Sequence, residues 1–192
     1  MKTRFYFFLA LLSFSFINNE STHQVRVHLT AESFLYIKGT SNINTFTCVY
    51  DAKTLSRKIP VTYTKSSGSY YFENVSLQLK NDGFNCGNKM INKDFHDLLQ
   101  TETFPSIQFQ LNELIMKQNQ LEAKVTLQIA GIKKQYSVPV KTHGELAPIE
   151  GLLCLNITDF GLTPPKKMMG MIVVKEDIEI VFGFDLQILD NH

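Results

Sequence analysis

"LQIAGIKKQYSVPV", residues 127–140, decides the fold. Successive side chains of an extended chain point to opposite faces. Leu127 and Ile129 therefore share one face, and Tyr136, Val138 and Val140 share another. Between the two runs lies the connector Ala130–Gln135. There Gly131 supplies the backbone freedom a reversal needs, and Lys133 and Lys134 keep the tip hydrated. The stretch predicts a β-hairpin. A lone two-stranded ribbon is marginal in water, so the hairpin must belong to a larger sheet.

Working outward, the same alternation recurs between turn-forming clusters. Val25, Val27 and Leu29 alternate in "QVRVHLT", and Phe46, Cys48 and Tyr50 share a face of "INTFTCVYD". Val75, Leu77 and Leu79 do so in "YYFENVSLQLK", and Ile107, Phe109 and Leu111 in "SIQFQLNELIM". Leu121 to Ile129 lead into the opening stretch, and "LLCLNITDFGL" and "VKEDIEIVFGFDLQIL" follow it. One segment breaks the rule. In "KMINKDFHDLLQTE" the apolar residues Ile91, Phe95, Leu98 and Leu99 recur at helical spacing, which predicts a helix of roughly 10 to 12 residues. The chain thus reads as all-β and antiparallel, with one helix near residues 90–100. Uniformly apolar inward faces suit a barrel or a sandwich.

The 192 residues suit one domain, and a 44% hydrophobic share is enough for a sizeable core. Fifteen Phe and seven Tyr are a β-leaning aromatic load. A net charge of +1 with scattered lysines argues against nucleic acid as a partner. At the start, basic "MKTR" precedes the apolar run "FYFFLALLSFSFI". A membrane-spanning helix needs about 20 apolar residues, so this run reads as an export signal and not as a membrane anchor. Residues 1–20 are taken as the signal and 21–192 as the barrel domain.

Export places the cysteines in an oxidising compartment. With three of them, one disulfide and one buried thiol is the simplest arrangement. Cys86 sits in a loop-like stretch and Cys48 in a strand, which favours a Cys48–Cys86 bond and leaves Cys154 as a small core residue. The five histidines, His23, His28, His96, His143 and His192, form no metal-type pair. His96, beside the helix's apolar stripe, is a half-buried surface residue or a polar contact at the barrel mouth. Asp159 in "TDFG" lacks every other element of a kinase site, and reads as a turn residue bonding backbone before Gly161. No nucleophile–base pair or paired carboxylates emerge, so no catalysis and no cofactor is expected.

Three motifs, in order, resemble the YceI-like family of exported lipocalin-like β-barrels. The first is the aromatic-Pro-x-Ile-x-Phe segment at Phe104, Pro105, Ile107 and Phe109. The second is the opening hairpin, with Leu127, Ile129, Gly131, Pro139 and Val140. The third is Asp159-Phe160-Gly161. Where the family often has arginine before the hairpin glycine, this chain has Ala130. The resemblance implies an eight-stranded antiparallel lipocalin-like barrel, periplasmic or secreted. Such a barrel would hold a long isoprenoid-type chain, a lipid or a quinone tail, without catalysis. Phe46, Tyr50, Phe72, Phe95, Leu99, Phe109, Leu127, Ile129 and Phe160 are the expected tunnel lining. No stable membrane insertion is expected, and a homodimer is compatible with the reading. The alternative is a barrel filled by its own side chains, whose surface serves structure or protein interaction. Core filling and tunnel lining look identical in sequence.

Overall fold

The computed structural model describes residues 21–118, 120–142, 148–167 and 170–189. The expected signal segment, His143 and His192 lie outside the described residues. The strands are β1 (Thr22–Leu29), β2 (Phe34–Ser41), β3 (Thr45–Tyr50), β4 (Arg57–Ser66), β5 (Ser69–Lys80), β6 (Phe84–Asn85) and β7 (Ser106–Lys117). After them come β8 (Gln120–Ile129), β9 (Ile132–Thr142), β10 (Ile149–Asn156), β11 (Lys166–Lys167), β12 (Ile172–Phe184) and β13 (Leu186–Leu189). The helices are α1 (Ala52–Leu55) and α2 (Lys89–Leu98).

Twelve strands form one antiparallel path, β13-β1-β4-β5-β7-β8-β9-β10-β12-β2-β3-β6, and β11 pairs with β12 beside it. The expectation of eight strands is therefore corrected to twelve. The reason is physical: four long strands are each broken in two. The breaks fall between β1 and β2, at α1 between β3 and β4, at the 3-10 turn Asn81–Gly83 between β5 and β6, and at Asp185 between β12 and β13. Two of these breaks clasp each other. The Thr30 hydroxyl donates to the Asp185 carboxylate at 2.6 Å, and the Thr30 N–H donates to the Asp185 carbonyl at 2.9 Å. Across this clasp β12 runs against β2 and β13 against β1. Pairing that leaves β1 through β4 thus returns to it through β13, and the sheet curls into a wall around an apolar interior.

The β8–β9 hairpin is tighter than its sequence suggests. Ile129 pairs with Ile132, so only Ala130 and Gly131 form the connector, both with positive φ (46° and 80°). That is the backbone of a type I′ turn, whose twist matches the flanking strands. Residues 132–135 belong to β9 instead of the connector. A Cβ added at Gly131 would stand 2.8 Å from the Phe104 ring, so two of the family-like motifs meet here.

The helix forms where expected. The Asn88 side chain caps it by accepting the Met90 N–H at 2.7 Å, and Leu99 closes it, buried at the C-cap. The Phe95 ring packs on Phe84 of β6, centroids 5.1 Å apart, which fixes α2 over one end of the wall. Cys48 and Cys86 are bonded, tying β3 to β6 with Cα atoms 3.9 Å apart. Cys154 is a correction: it is exposed, not a core residue. Leu153 and Leu155 take the inward positions of β10, so the residue between them must face out.

Candidate functional site: the apolar interior

Residues directly opposite across a ladder point to the same face, so the register defines the inner surface. Val75, Leu111 and Val125 are in register across β5, β7 and β8, and Leu77, Phe109 and Leu127 form the next row. On the other side Ile149 opposes Phe184, Gly151 opposes Phe182 and Leu153 opposes Ile180. Gly151 is there for space: a Cβ on it would stand 2.4 Å from the Phe182 ring.

This surface has two parts. Near α2 it is dry. Leu35, Ile37, Leu79, Phe84, Ile107, Leu127, Leu153, Ile180 and Phe182 are all buried. Away from α2 the inward residues of β8 and β9, such as Val125 and Val138, stay buried, but those of β1, β4, β5 and β7 are only half-buried. Leu111, Leu114, Ile59, Ile149, Phe184 and Leu186 still touch the core, while Val25, Val61, Tyr63 and Phe72 lie beyond it. Phe109, Phe182 and Phe184 stand at the boundary. The Phe182 and Phe184 rings stack at 5.0 Å, and Phe109 meets them edge-on at 6.1 and 6.2 Å. Between these rings and the buried residues lies a small cavity of about 20 Å³ with a wholly apolar lining. That is room for about one water-sized sphere, in a place with no polar partner to hold a water.

Of the nine residues expected to line a tunnel, Phe109 and Leu127 line this cavity. Ile129 is buried in the next row of β8. Phe72 lies in the half-open part, its ring 6.2 Å from Tyr63. Phe46 packs over Gly39, where a Cβ would stand 2.3 Å from its ring. Tyr50 is buried, and its hydroxyl accepts the Lys80 N–H at 3.2 Å. Phe95 and Leu99 belong to the helix cap. Phe160 is buried beside Tyr136, ring centroids 6.4 Å apart, in a 3-10 turn (Ile157–Phe160) packed on β9, β10 and β12. Sequence reasoning omitted Leu35, Ile37, Phe84, Leu153, Ile180, Phe182 and Phe184 from the lining. All but Phe84, which stands in the loop-like "NDGFNCGN", lie in runs that read as strands. What was not visible is which of the inward rows converge.

Polar groups sit at the margins. Asn156, not Asp159, caps the 3-10 turn by accepting the Thr158 N–H at 2.9 Å, and Asp159 is exposed. Burial raises the Tyr136 hydroxyl above its ordinary value, and the Asp159 charge adds to this. That hydroxyl has no hydrogen-bond partner among the described residues. The His96 Nε2 stands 3.8 Å from an Asp82 oxygen, with the His96 side chain 32% exposed. Outside the wall, Lys124 ion-pairs with Glu113 at 2.7 Å. The Lys124 hydrogen bond holds the Glu113 carboxyl below its ordinary value. Among the described residues no three His, Cys, Asp or Glu side chains gather to hold a metal, and no helix is long and apolar enough to cross a membrane.

The YceI-like domain model matches residues 17–186. The fold is similar to that of BcnA from Burkholderia cenocepacia (TM-score 0.59, 16% identity), covering 82% of this chain and 97% of that one. It is also similar to a polyisoprenoid binding domain from Saccharophagus degradans implicated in plant cell wall breakdown (TM-score 0.56, 13% identity), over 86% and 99% of the two chains. A Campylobacter jejuni YCEI protein superposes at a TM-score of 0.51 with 14% identity, over 62% of this chain and 74% of that one. No curated protein matches the chain.

Proposed function

Because this chain belongs to the YceI-like family, we propose that it is an exported, non-catalytic carrier that holds a long apolar, isoprenoid-type chain within its β-wall. The observation that carries the reading is the inner surface, apolar around the Phe109–Phe182–Phe184 cluster and left half-buried on β1, β4, β5 and β7. Each CH₂ of a ligand moved from water onto such a surface gains about 0.8 kcal/mol. A chain would lie along Val61, Leu111, Leu114 and Leu186 and press its end against the three rings. Parting those rings extends the site into the dry half. The polyisoprenoid-binding neighbour supports the ligand class. The apolar run at residues 5–17 and the Cys48–Cys86 bond support residues 1–20 as an export signal, 21–192 as the barrel domain, and a periplasmic or secreted location.

The test is solvent extraction and mass spectrometry of purified protein, paired with fluorescence titration by farnesol. Co-purified prenyl lipid, or saturable farnesol binding that Leu111→Asp weakens at least about tenfold, is the expected result, since a carboxylate in an apolar site must be desolvated. Absence of both sinks the carrier reading. The small volume of the interior cavity, about 20 Å³, favours the second reading, a barrel filled by its own side chains. That reading predicts no lipid and no effect of Leu111→Asp on any binding.

A further inference from the structure

Pairing around the wall lapses between β9 and β10, which meet only from Ile149↔Thr142 to Gly151↔Val140, and again between the β3–β4 and β5–β6 strands. β4 meets β5 only from Thr62↔Glu73 to Ser66↔Ser69. β3 meets β6 only at Val49↔Asn85 and Tyr50↔Phe84, extended by the Asp51 N–H donating to the Gly83 carbonyl at 2.9 Å. Between these ends, residues 52–61 and 74–82 face each other without a ladder. Three features of the sequence keep them apart. Pro60 is on this edge and has no N–H to offer. Asn74, at φ 56°, sits in the bulge where the β5–β7 register shifts. The helix α1 fills the turn between β3 and β4.

The slot that results is an open hollow of about 620 Å³, against about 20 Å³ in the interior cavity. Its floor is Tyr50 and Phe84, and Phe84 lines the interior cavity as well. Phe84 is thus common to the slot and to the apolar interior. The slot's charged groups are Arg57, Lys80, Asp51 and Asp82. Of the two acids, Asp51 accepts the Lys53 N–H at 3.0 Å as the cap of α1, and Asp82, its side chain 82% exposed, turns toward solvent 3.8 Å from the His96 Nε2. The cations keep free capacity. Arg57 donates to the Thr54 carbonyl at 3.1 Å, one of the five N–H groups a guanidinium carries. Lys80 makes no ion pair among the described residues.

We propose that this slot takes the anionic end, a phosphate or carboxylate, of an amphiphile whose chain enters the interior past Phe84. The proposal rests on the carrier reading. It adds a polar subsite to it, together with a way in through the side of the wall. A guanidinium and an ammonium above an aromatic floor are the groups that bind such a head group in charge-assisted hydrogen bonds.

The experiment compares farnesyl phosphate with farnesol on the wild type and on Arg57→Gln/Lys80→Gln, with inorganic phosphate as a third titrant followed by NMR. The wild type is expected to bind farnesyl phosphate about tenfold more tightly than farnesol, a preference that falls as salt rises. The double variant loses that preference and keeps its farnesol affinity. Lys80 is exposed, so Lys80→Gln alone, losing about threefold, decides the matter if the double variant does not fold. Equal binding of the two prenyl compounds by the wild type, or a preference that survives in the variants, overturns the slot and leaves the carrier reading standing. Phosphate shifts at Arg57 and Lys80 without binding of either prenyl compound overturn the head-group assignment in favour of a free-anion site. No binding of any probe overturns the slot and the carrier reading together.

Discussion

Glu113 and Lys124 show what a single pair outside the wall contributes. Their ion pair spans β7 and β8 beside the shift in register between Leu111 and Glu113. The folded-state carboxyl lies below its ordinary value of 4.5. A depressed carboxyl stabilises the fold at pH values above its unfolded-state value and loses that contribution as pH falls through the folded one. Glu113→Gln is thus expected to lower the melting temperature at neutral pH, with the gap to the wild type closing below about pH 4.5. A gap that stays constant with pH would show the pair is not responsible. At this scale the sequence is readable where a residue's own preference agrees with its place. Gly131 announced its turn. Ala130, with φ 46°, did not, because alanine disfavours that backbone and is held there by the two strands it joins.

The elements were largely legible because each carries its own period. The alternating runs became strands, and Ile91, Phe95 and Leu98 became the half-buried stripe by which α2 packs on the core. The disulfide was weakly legible, from one loop-like and one strand-like cysteine. Cys154 was misread because "LLCLNI" is apolar on both faces, and only its neighbours' burial fixes the parity. The Cys48–Cys86 bond staples a strand two residues long, β6, to β3 across a separation of 38 residues. Chain-entropy arguments give a loop of that size about 4 kcal/mol. Cys48→Ser/Cys86→Ser is expected to lower stability by that order in chemical denaturation. An unchanged midpoint would mean that α2 and the Phe84–Phe95 contact hold this end unaided.

For the whole molecule, strand number was the feature that sequence could not supply. The break after β5 is marked locally by the Gly- and Asn-rich "NDGFNCGN", whereas "VKEDIEIVFGFDLQIL" runs straight through the break at Asp185 with no local mark. Thr30 and Asp185, which clasp two of the breaks, are 155 positions apart. Asp185→Ala removes a charge-assisted acceptor from a part-buried hydroxyl, and is expected to cost about 1–3 kcal/mol at the denaturation midpoint. A loss no larger than that of an exposed control such as Glu179→Ala would show that backbone pairing alone closes the wall. The candidate site was legible as an inner surface and not as a site. Alternation gives the face of a strand, but convergence around Phe109, Phe182 and Phe184 is a property of the assembled wall.

The clasp between Thr30 and Asp185 also orders events in time. The strands it joins, β1 and β13, stand at opposite ends of the chain, so their pairing must wait for most of the polypeptide to be made and placed. Folding that ends on so distant a contact is slow. Until it finishes, both strands expose unsatisfied edges that another copy could take up. The closing seam is where premature folding would be prevented and where misassembly between copies would begin.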